Sequence, residues 1–190
     1  SFTDSEGKVR TYTYDTNDRI ELLNDALGRA IVHNTYDADG RVIEVGEIED
    51  PQGQKVLRIG IFLSVFNVHV NRVPCAGTVT AVEQRAGKCL DARDPRASEL
   101  NRAATVVLER EDGRSVAVRQ ITGLIARRIV CPVSAGQTYT RTERYGMIRF
   151  GSRTELIVPV ADLEQALISV GETVRGGETL LARLKPGPDA

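Results

Sequence analysis

The strongest constraint on this chain is a short segment that it uses twice. Val133-Ser134-Ala135-Gly136-Gln137-Thr138-Tyr139 returns as Ile168-Ser169-Val170-Gly171-Glu172-Thr173-Val174, and Glu143 in the first copy falls where Glu178 falls in the second. Each copy sets a glycine between residues that suit strands, so each reads as a tight corner between sheets. Around the two corners the pattern is almost entirely β. Segments rich in Val, Ile and Thr at 41–46, 56–63, 77–82, 105–110 and 115–121 are divided by turn signals such as Asp50-Pro51-Gln52-Gly53 and Glu111-Asp112-Gly113. Residues 92–102, rich in charge and small side chains, predict a surface loop or helical turn. The expected fold class is mainly β with few short helices.

A chain of 190 residues fits one domain, or one domain with a small appendage. Its net charge of -1 excludes bulk attraction to nucleic acid through a basic patch. Cys75, Cys89 and Cys131 are odd in number, widely spaced and without a CxxC pair, which argues against a disulfide framework or a zinc site and favours a reducing compartment. No run reaches the roughly 18 apolar residues of a membrane span, and residues 1–37 lack a signal peptide's apolar core, so membrane contact is expected to be peripheral.

Residues 1–37 have their own character. Tyr14-Asp15-Thr16-Asn17-Asp18-Arg19-Ile20 is echoed by Tyr36-Asp37-Ala38-Asp39-Gly40-Arg41-Val42. The segment resembles the Tyr-Asp repeat family, which implies a small N-terminal β-hairpin segment, too short in copies to stand as an array. His33 belongs to it and reads as a surface residue.

Between the two corners lies Arg149-Phe150-Gly151-Ser152-Arg153-Thr154-Glu155. Most Gly-Ser pairs are plain turns. A serine hydroxyl can also attack the preceding glycine carbonyl in an N-to-O acyl shift, because glycine leaves the approach open and tolerates strained backbone. The ester can break by β-elimination, and hydrolysis then leaves a pyruvoyl group where the serine stood. Upstream, alternation in Asn67-Val68-His69-Val70-Asn71-Arg72 places Asn67, His69 and Asn71 on one face. Taken alone, His69 reads as an edge-strand histidine and Arg72 as half of a surface ion pair. In an active-site wall, His69, with an ordinary pKa of about 6.5, could take and return a proton, and Arg72 could hold an anion.

Phe62-Leu63-Ser64-Val65-Phe66-Asn67-Val68-His69-Val70-Asn71-Arg72-Val73-Pro74 followed by Cys75-Ala76-Gly77-Thr78-Val79, read with Glu143-Arg144-Tyr145-Gly146-Met147-Ile148-Arg149-Phe150-Gly151-Ser152-Arg153, closely resembles the short bacterial form of phosphatidylserine decarboxylase. The likeness runs from about Ala38 to about Ala182 and includes Ala38-Asp39-Gly40-Arg41-Val42. The two corners likewise resemble those of lipoyl-like and biotinyl-like domains, so the resemblance implies a lipoyl-like barrel-sandwich β-sandwich. A carrier function would need a lysine flanked as in Met-Lys-Met, and Lys55, Lys88 and Lys185 are not so flanked.

The resemblance implies a self-processing proenzyme. It divides the chain into residues 1–37 and a decarboxylase-like domain of residues 38–190, cleaved at Gly151-Ser152 into a β chain part (38–151) and an α chain (152–190) that stay together as a heterodimer. The cofactor is a pyruvoyl group derived from Ser152, the electron sink for decarboxylation of phosphatidylserine to phosphatidylethanolamine. Catalytic residues are Ser152, His69 and Asp39, with Arg72 and Asn67 at the substrate; the location is peripheral, at the cytoplasmic face of the membrane, or cytoplasmic. Two departures stand out: the family's apolar entry segment with a Phe-Phe-Arg-Asp-Pro-like motif is not in this sequence, and Asn67 stands where many relatives have aspartate. The competing class is a non-catalytic β-sandwich or repeat-derived binding module with the same fold.

Overall fold

A computed structural model describes residues 2–3, 9–14, 20–24, 30–33, 39–64, 67, 69–148 and 151–186, with side chains from Gly40 onward. The turns of the Tyr-Asp segment and the side chain of His33 lie outside the described residues. Strands β1 (Phe2–Thr3), β2 (Val9–Tyr14), β3 (Ile20–Asn24) and β4 (Ala30–His33) form a four-stranded antiparallel sheet in sequence order. It extends the hairpin reading to a full meander.

The remainder is built on β5 (Asp39–Glu49), β6 (Lys55–Leu63), β7 (Val70–Arg72), β8 (Gly77–Arg85), α1 (Ala97–Leu100), β9 (Ala103–Glu109), β10 (Ser115–Ile121), β11 (Ile129–Val130), β12 (Thr138–Tyr139), β13 (Arg144–Ile148), β14 (Ser152–Pro159), β15 (Leu163–Ala166), β16 (Thr173–Arg175) and β17 (Ala182–Leu184). An eight-stranded sheet runs β12-β8-β9-β10-β14-β6-β5-β16; β11-β13-β7 and β15-β17 form smaller sheets. The expected mainly β class is therefore what the chain adopts, and the expected helical turn within 92–102 is α1.

Local chemistry makes the hairpins. Asp50 closes the β5–β6 turn by accepting the Gln52 and Gln54 amides at 3.0 and 2.8 Å, with Gly53 at φ +78. The β9–β10 turn does the same with Gly113 at φ +75 and the Arg110 amide on the Arg114 carbonyl at 2.8 Å. Alternation then sorts the faces: on β10, Val116 and Val118 enter the core beside Val42, Ile59, Leu108, Leu156 and Val158, while Arg119 points the other way.

That other face is not solvent. Pairing aligns Glu44 with Gly60, Gly60 with Glu155, and Glu155 with Arg119 in one row across the sheet. The buried Arg153 guanidinium occupies the space over Gly60, where a Cβ would come within 2.7 Å of Nη2, and it pairs with Glu44 and with Glu155, the latter at 2.7 Å. Arg58 completes the row, on Glu44 at 2.7 Å and on Ser98 Oγ of α1 at 3.1 Å. Burial alone would raise the Glu44 carboxyl, but the hydrogen bonds from Arg153 and Arg58 outweigh it and hold that carboxyl below its ordinary range. The segment around α1 is the lid on this polar layer, tied down by Arg85 Nη2 on the Ser98 and Asn101 carbonyls at 2.8 and 2.9 Å.

Candidate active site

The first corner and three strands, β13, β14 and β6, deliver the Gly151-Ser152 step to one place. Ser152 begins β14, paired with Leu63 at the end of β6. The preceding Gly151 has φ +67, a left-handed backbone that glycine reaches without penalty. Its carbonyl packs onto Gly123, where a Cβ would stand 2.0 Å from the oxygen, so only another glycine admits it. Ser152 is fully buried, and its Oγ has no hydrogen-bond partner among the described residues. A buried hydroxyl without a partner is costly, which marks it as held for a purpose other than stability.

His69 reaches the same step from the far side of the chain. Its Nε2 accepts the Gly151 N–H at 2.9 Å, and its Nδ1 lies 2.7 Å from the Asn67 carbonyl. A carbonyl only accepts, so the proton sits on Nδ1 and the lone pair of Nε2 points at the Gly151 amide. Burial pushes the imidazole down to about 4, against the weaker upward pull of backbone hydrogen bonds to Asn67 and Leu63. At neutral pH the ring is an uncharged acceptor.

The flat stripe expected from alternation does not form. A turn closes between Ser64 and Asn67, with the Asn67 amide on the Ser64 carbonyl at 3.0 Å and Asn67 Oδ1 accepting the Ser64 amide at 2.6 Å. Asn67 spends its side chain on that turn, and strand geometry resumes only at Val70. His69 is aimed by the turn. Asn71 is buried and accepts Gln120 Nε2 at 2.7 Å, a partner that its strand pattern gave no reason to single out.

Arg72 stands apart from the Gly-Ser step. Its Nη1 donates to the Thr142 carbonyl at 2.9 Å, and its Cδ lies against Gly177. It lines a cavity of about 880 Å³ whose walls include Ile61, Leu63, Val118, Leu156 and Val158, with Arg141 and Arg175 also on its lining. Apolar walls with guanidinium groups suit an amphiphile with an anionic group. Asp39 is described by its backbone alone. It opens β5, and the pairings Arg41↔Phe62 and Ser152↔Leu63 put that strand start at the same end of the sheet as Ser152, two strands away.

Sequence reasoning missed Gly123, Gln120 and Arg153. The first two act through backbone or side-chain approach across strands distant in sequence, which no local spacing encodes. Arg153 did carry a signal: a charged pair, Arg153 and Glu155, placed on one face of a strand whose other residues read as core.

Comparison with known proteins places the chain among relatives of one kind. A family model described as phosphatidylserine decarboxylase matches residues 29–182. The phosphatidylserine decarboxylase proenzyme of Gluconacetobacter diazotrophicus is 49% identical over 152 residues, covering 77% of this chain and 67% of the relative. That of Ehrlichia chaffeensis is 46% identical over 159 residues, 81% of this chain and 69% of the relative. The proenzyme of Nitratidesulfovibrio vulgaris is 48% identical over 150 residues, 78% and 68% respectively. No solved structure matches the chain.

Proposed function

The chain belongs to the phosphatidylserine decarboxylase family, and on that premise we propose that it cuts itself at Gly151-Ser152 and decarboxylates phosphatidylserine to phosphatidylethanolamine. One observation carries the reading: a left-handed Gly151, a buried Ser152 Oγ without a partner among the described residues, and a neutral His69 whose Nε2 already faces the step. A hydroxyl that must lose its proton and a carbonyl that must accept attack are adjacent by chain connectivity. His69 exchanges the Gly151 N–H for the Ser152 O–H, takes that proton, and Oγ adds to the Gly151 carbon. Collapse expels the amide nitrogen, which takes the proton back from His69 and leaves as an amine, and an ester remains. Loss of the Ser152 α-proton breaks the Cβ–Oγ bond, freeing the Gly151 carboxylate; one water then replaces the nitrogen of the new N-terminus, released as ammonia.

The group this leaves at position 152 is a pyruvoyl, which supplies the electron sink for loss of CO₂. The residues present fit it: the position is buried, at the start of a strand held on both sides, with His69 beside it. His69 returns the proton after decarboxylation, and Asp39, from the start of β5, is its acidic partner. Arg72 holds the phosphate at the apolar cavity. Asn67 serves the substrate indirectly, by fixing the turn that aims His69. The decarboxylase domain spans residues 38–190, and its two chains stay paired because β14 of the short fragment lies between β6 and β10 of the long one. Among the described residues no helix is long and apolar enough to cross a membrane, and the proposed location is peripheral, at the cytoplasmic face.

The test is intact mass spectrometry beside a phosphatidylethanolamine assay. The wild type should give two fragments, the shorter being residues 152–190 with a pyruvoyl terminus. Ser152→Ala should remain whole and inactive. Cleavage persisting in Ser152→Ala would defeat the reading; a wild type that stays one chain and makes no phosphatidylethanolamine would indicate a non-catalytic module.

A further inference from the structure

The turn that carries Gly123 does something the cleavage step does not use. Its base is anchored: the Thr122 amide and Oγ1 bond the Arg102 carbonyl at 3.0 and 3.1 Å, and Asn101 Nδ2 bonds the Thr122 carbonyl at 2.8 Å. The Gly123 amide closes the turn on the Ala126 carbonyl at 3.0 Å, and Ala126 is buried. Between those two fixed points Leu124 and Ile125 are 61% and 66% exposed. Arg127 and Arg128 come directly after, both exposed. A two-residue apolar tip on a rigid base, with adjacent guanidinium groups, is costly in water and gains nothing from the fold beneath it.

We infer that the Gly123–Ala126 turn is a membrane wedge, which inserts Leu124 and Ile125 into an anionic phospholipid surface while Arg127 and Arg128 bind its phosphates. Charge and shape commit it to that occupant. Isolated exposed apolar residues are ordinary, but an apolar pair beside a cationic pair matches the interface between acyl chains and anionic headgroups. Each arginine near such a surface adds attraction that salt screens. Position supplies the second argument: Gly123 is in contact with the Gly151 carbonyl, so a bilayer seated on this tip brings headgroups toward the end of β14 where Ser152 lies. The inference deepens the proposed activity, since it names how a buried reactive position meets a lipid, but surface binding itself does not require that activity.

The experiment is co-sedimentation of the full chain with phosphatidylcholine vesicles that do or do not contain phosphatidylglycerol, which is not a substrate of the proposed reaction. The wild type should bind anionic vesicles and bind phosphatidylcholine alone at least tenfold more weakly. Leu124→Glu with Ile125→Glu should weaken anionic binding at least tenfold, and Arg127→Gln with Arg128→Gln should weaken it and flatten its salt dependence. Because all four side chains are exposed, both variants should melt as the wild type does and turn over detergent-dispersed phosphatidylserine equally well. Undiminished vesicle binding by the Leu124/Ile125 variant overturns the inference, as does a wild type that ignores anionic vesicles. So does a vesicle-free size change in that variant, which would show a second copy of the chain covering the tip. Failure to cleave or decarboxylate, with vesicle binding intact, counts against the proposed activity and leaves the wedge standing.

Discussion

The two copies of the corner share one geometry and lead to opposite ends. At the first, the Ser134 amide bonds Gln137 Oε1 at 2.8 Å, Gly136 has φ +87 and donates to Val79, and the Val79 amide returns to Gln137. At the second, the Ser169 amide bonds Glu172 Oε1 at 3.0 Å, Gly171 has φ +96 and donates to Val42, and the Val42 amide returns to Glu172. Each then adds a short strand to one edge of the eight-stranded sheet, β12 on β8 and β16 on β5. The copies part only afterwards. The first feeds β13, which pairs with β7 and leads into the Gly-Ser step beside His69; the second feeds β17, which closes a small hairpin with β15. The corner is thus a scaffold device, and the chemistry belongs to the outgoing limb of one copy.

Removing His69 should break the comparison most sharply, because only the first copy's outgoing limb uses it. A positioned proton-transfer group contributes about 10²–10⁴-fold. His69→Ala should slow self-cleavage by that factor, read as the half-time for the two fragments to appear on a denaturing gel. The second corner and the sheet should be untouched, so circular dichroism should stay native. Cleavage at the wild-type rate would return His69 to the role of a structural ring.

Breaking the polar layer beneath β14 comes next in size. Arg153→Met removes the cation between Glu44 and Glu155 and leaves Glu155, which is almost fully buried, with the peripheral Arg119 at 3.5 Å as its remaining cation among the described residues. Truncating one partner of a buried ion pair costs about 3–5 kcal/mol. The variant should therefore show a large drop in urea midpoint, whereas Arg183→Met, at an exposed pair with Glu164 on the second copy's hairpin, should change it by about 1 kcal/mol or less. Equal effects from the two would mean the polar layer is not structural.

Acid should find the same asymmetry. Burial lowers His69 to about 4 in the folded chain, against about 6.5 when unfolded. Between those values the unfolded state binds more protons, so stability is complete above about pH 6.5 and declines as pH falls, by up to about 3 kcal/mol near pH 4. Protonation at Nε2 would also set a second donor against the Gly151 amide. Urea unfolding of the Ser152→Ala precursor at pH 7 and pH 5 should show the loss, and His69→Gln in that background should reduce it.

How far the sequence reveals this asymmetry depends on what each residue answers to. The corners, the hairpins at Gly53 and Gly113, the strand over Ser115–Ile121 and the turn at α1 were legible because glycine, aspartate and alternation act within a few residues. The neighbourhood of Ser152 and His69 was legible through motif. Three things were not. Asn67 stands outside the strand that alternation predicts over residues 67–72, which begins only at Val70, because its side-chain bond to the Ser64 amide outcompetes the ladder. The Glu44–Arg153–Glu155 row arises from register between strands far apart in sequence. The contact of Gly123 with the Gly151 carbonyl is tertiary throughout.

The smallest prediction turns on one position at which the copies differ. Past each corner the chain turns again, and the left-handed residue there is Thr142 in the first copy, at φ +70, and Gly177 in the second, at φ +89. Arg72 touches both, through the Thr142 carbonyl at 2.9 Å and through its Cδ, 3.0 Å from where a Gly177 Cβ would stand. A left-handed backbone costs a residue with a Cβ about 1–2 kcal/mol. Gly177→Ala should therefore destabilise by at least about 1 kcal/mol, since it adds that strain and crowds Arg72. Thr142→Gly relieves the strain but gives the unfolded chain more freedom, worth about 0.4–1 kcal/mol in opposition, so the net gain should stay below about 1.6 kcal/mol. Thermal melts of the two variants in the Ser152→Ala precursor should shift in opposite directions. Shifts of the same sign would show that the two turns are not equivalent, and that the second copy keeps its glycine for Arg72 rather than for its backbone.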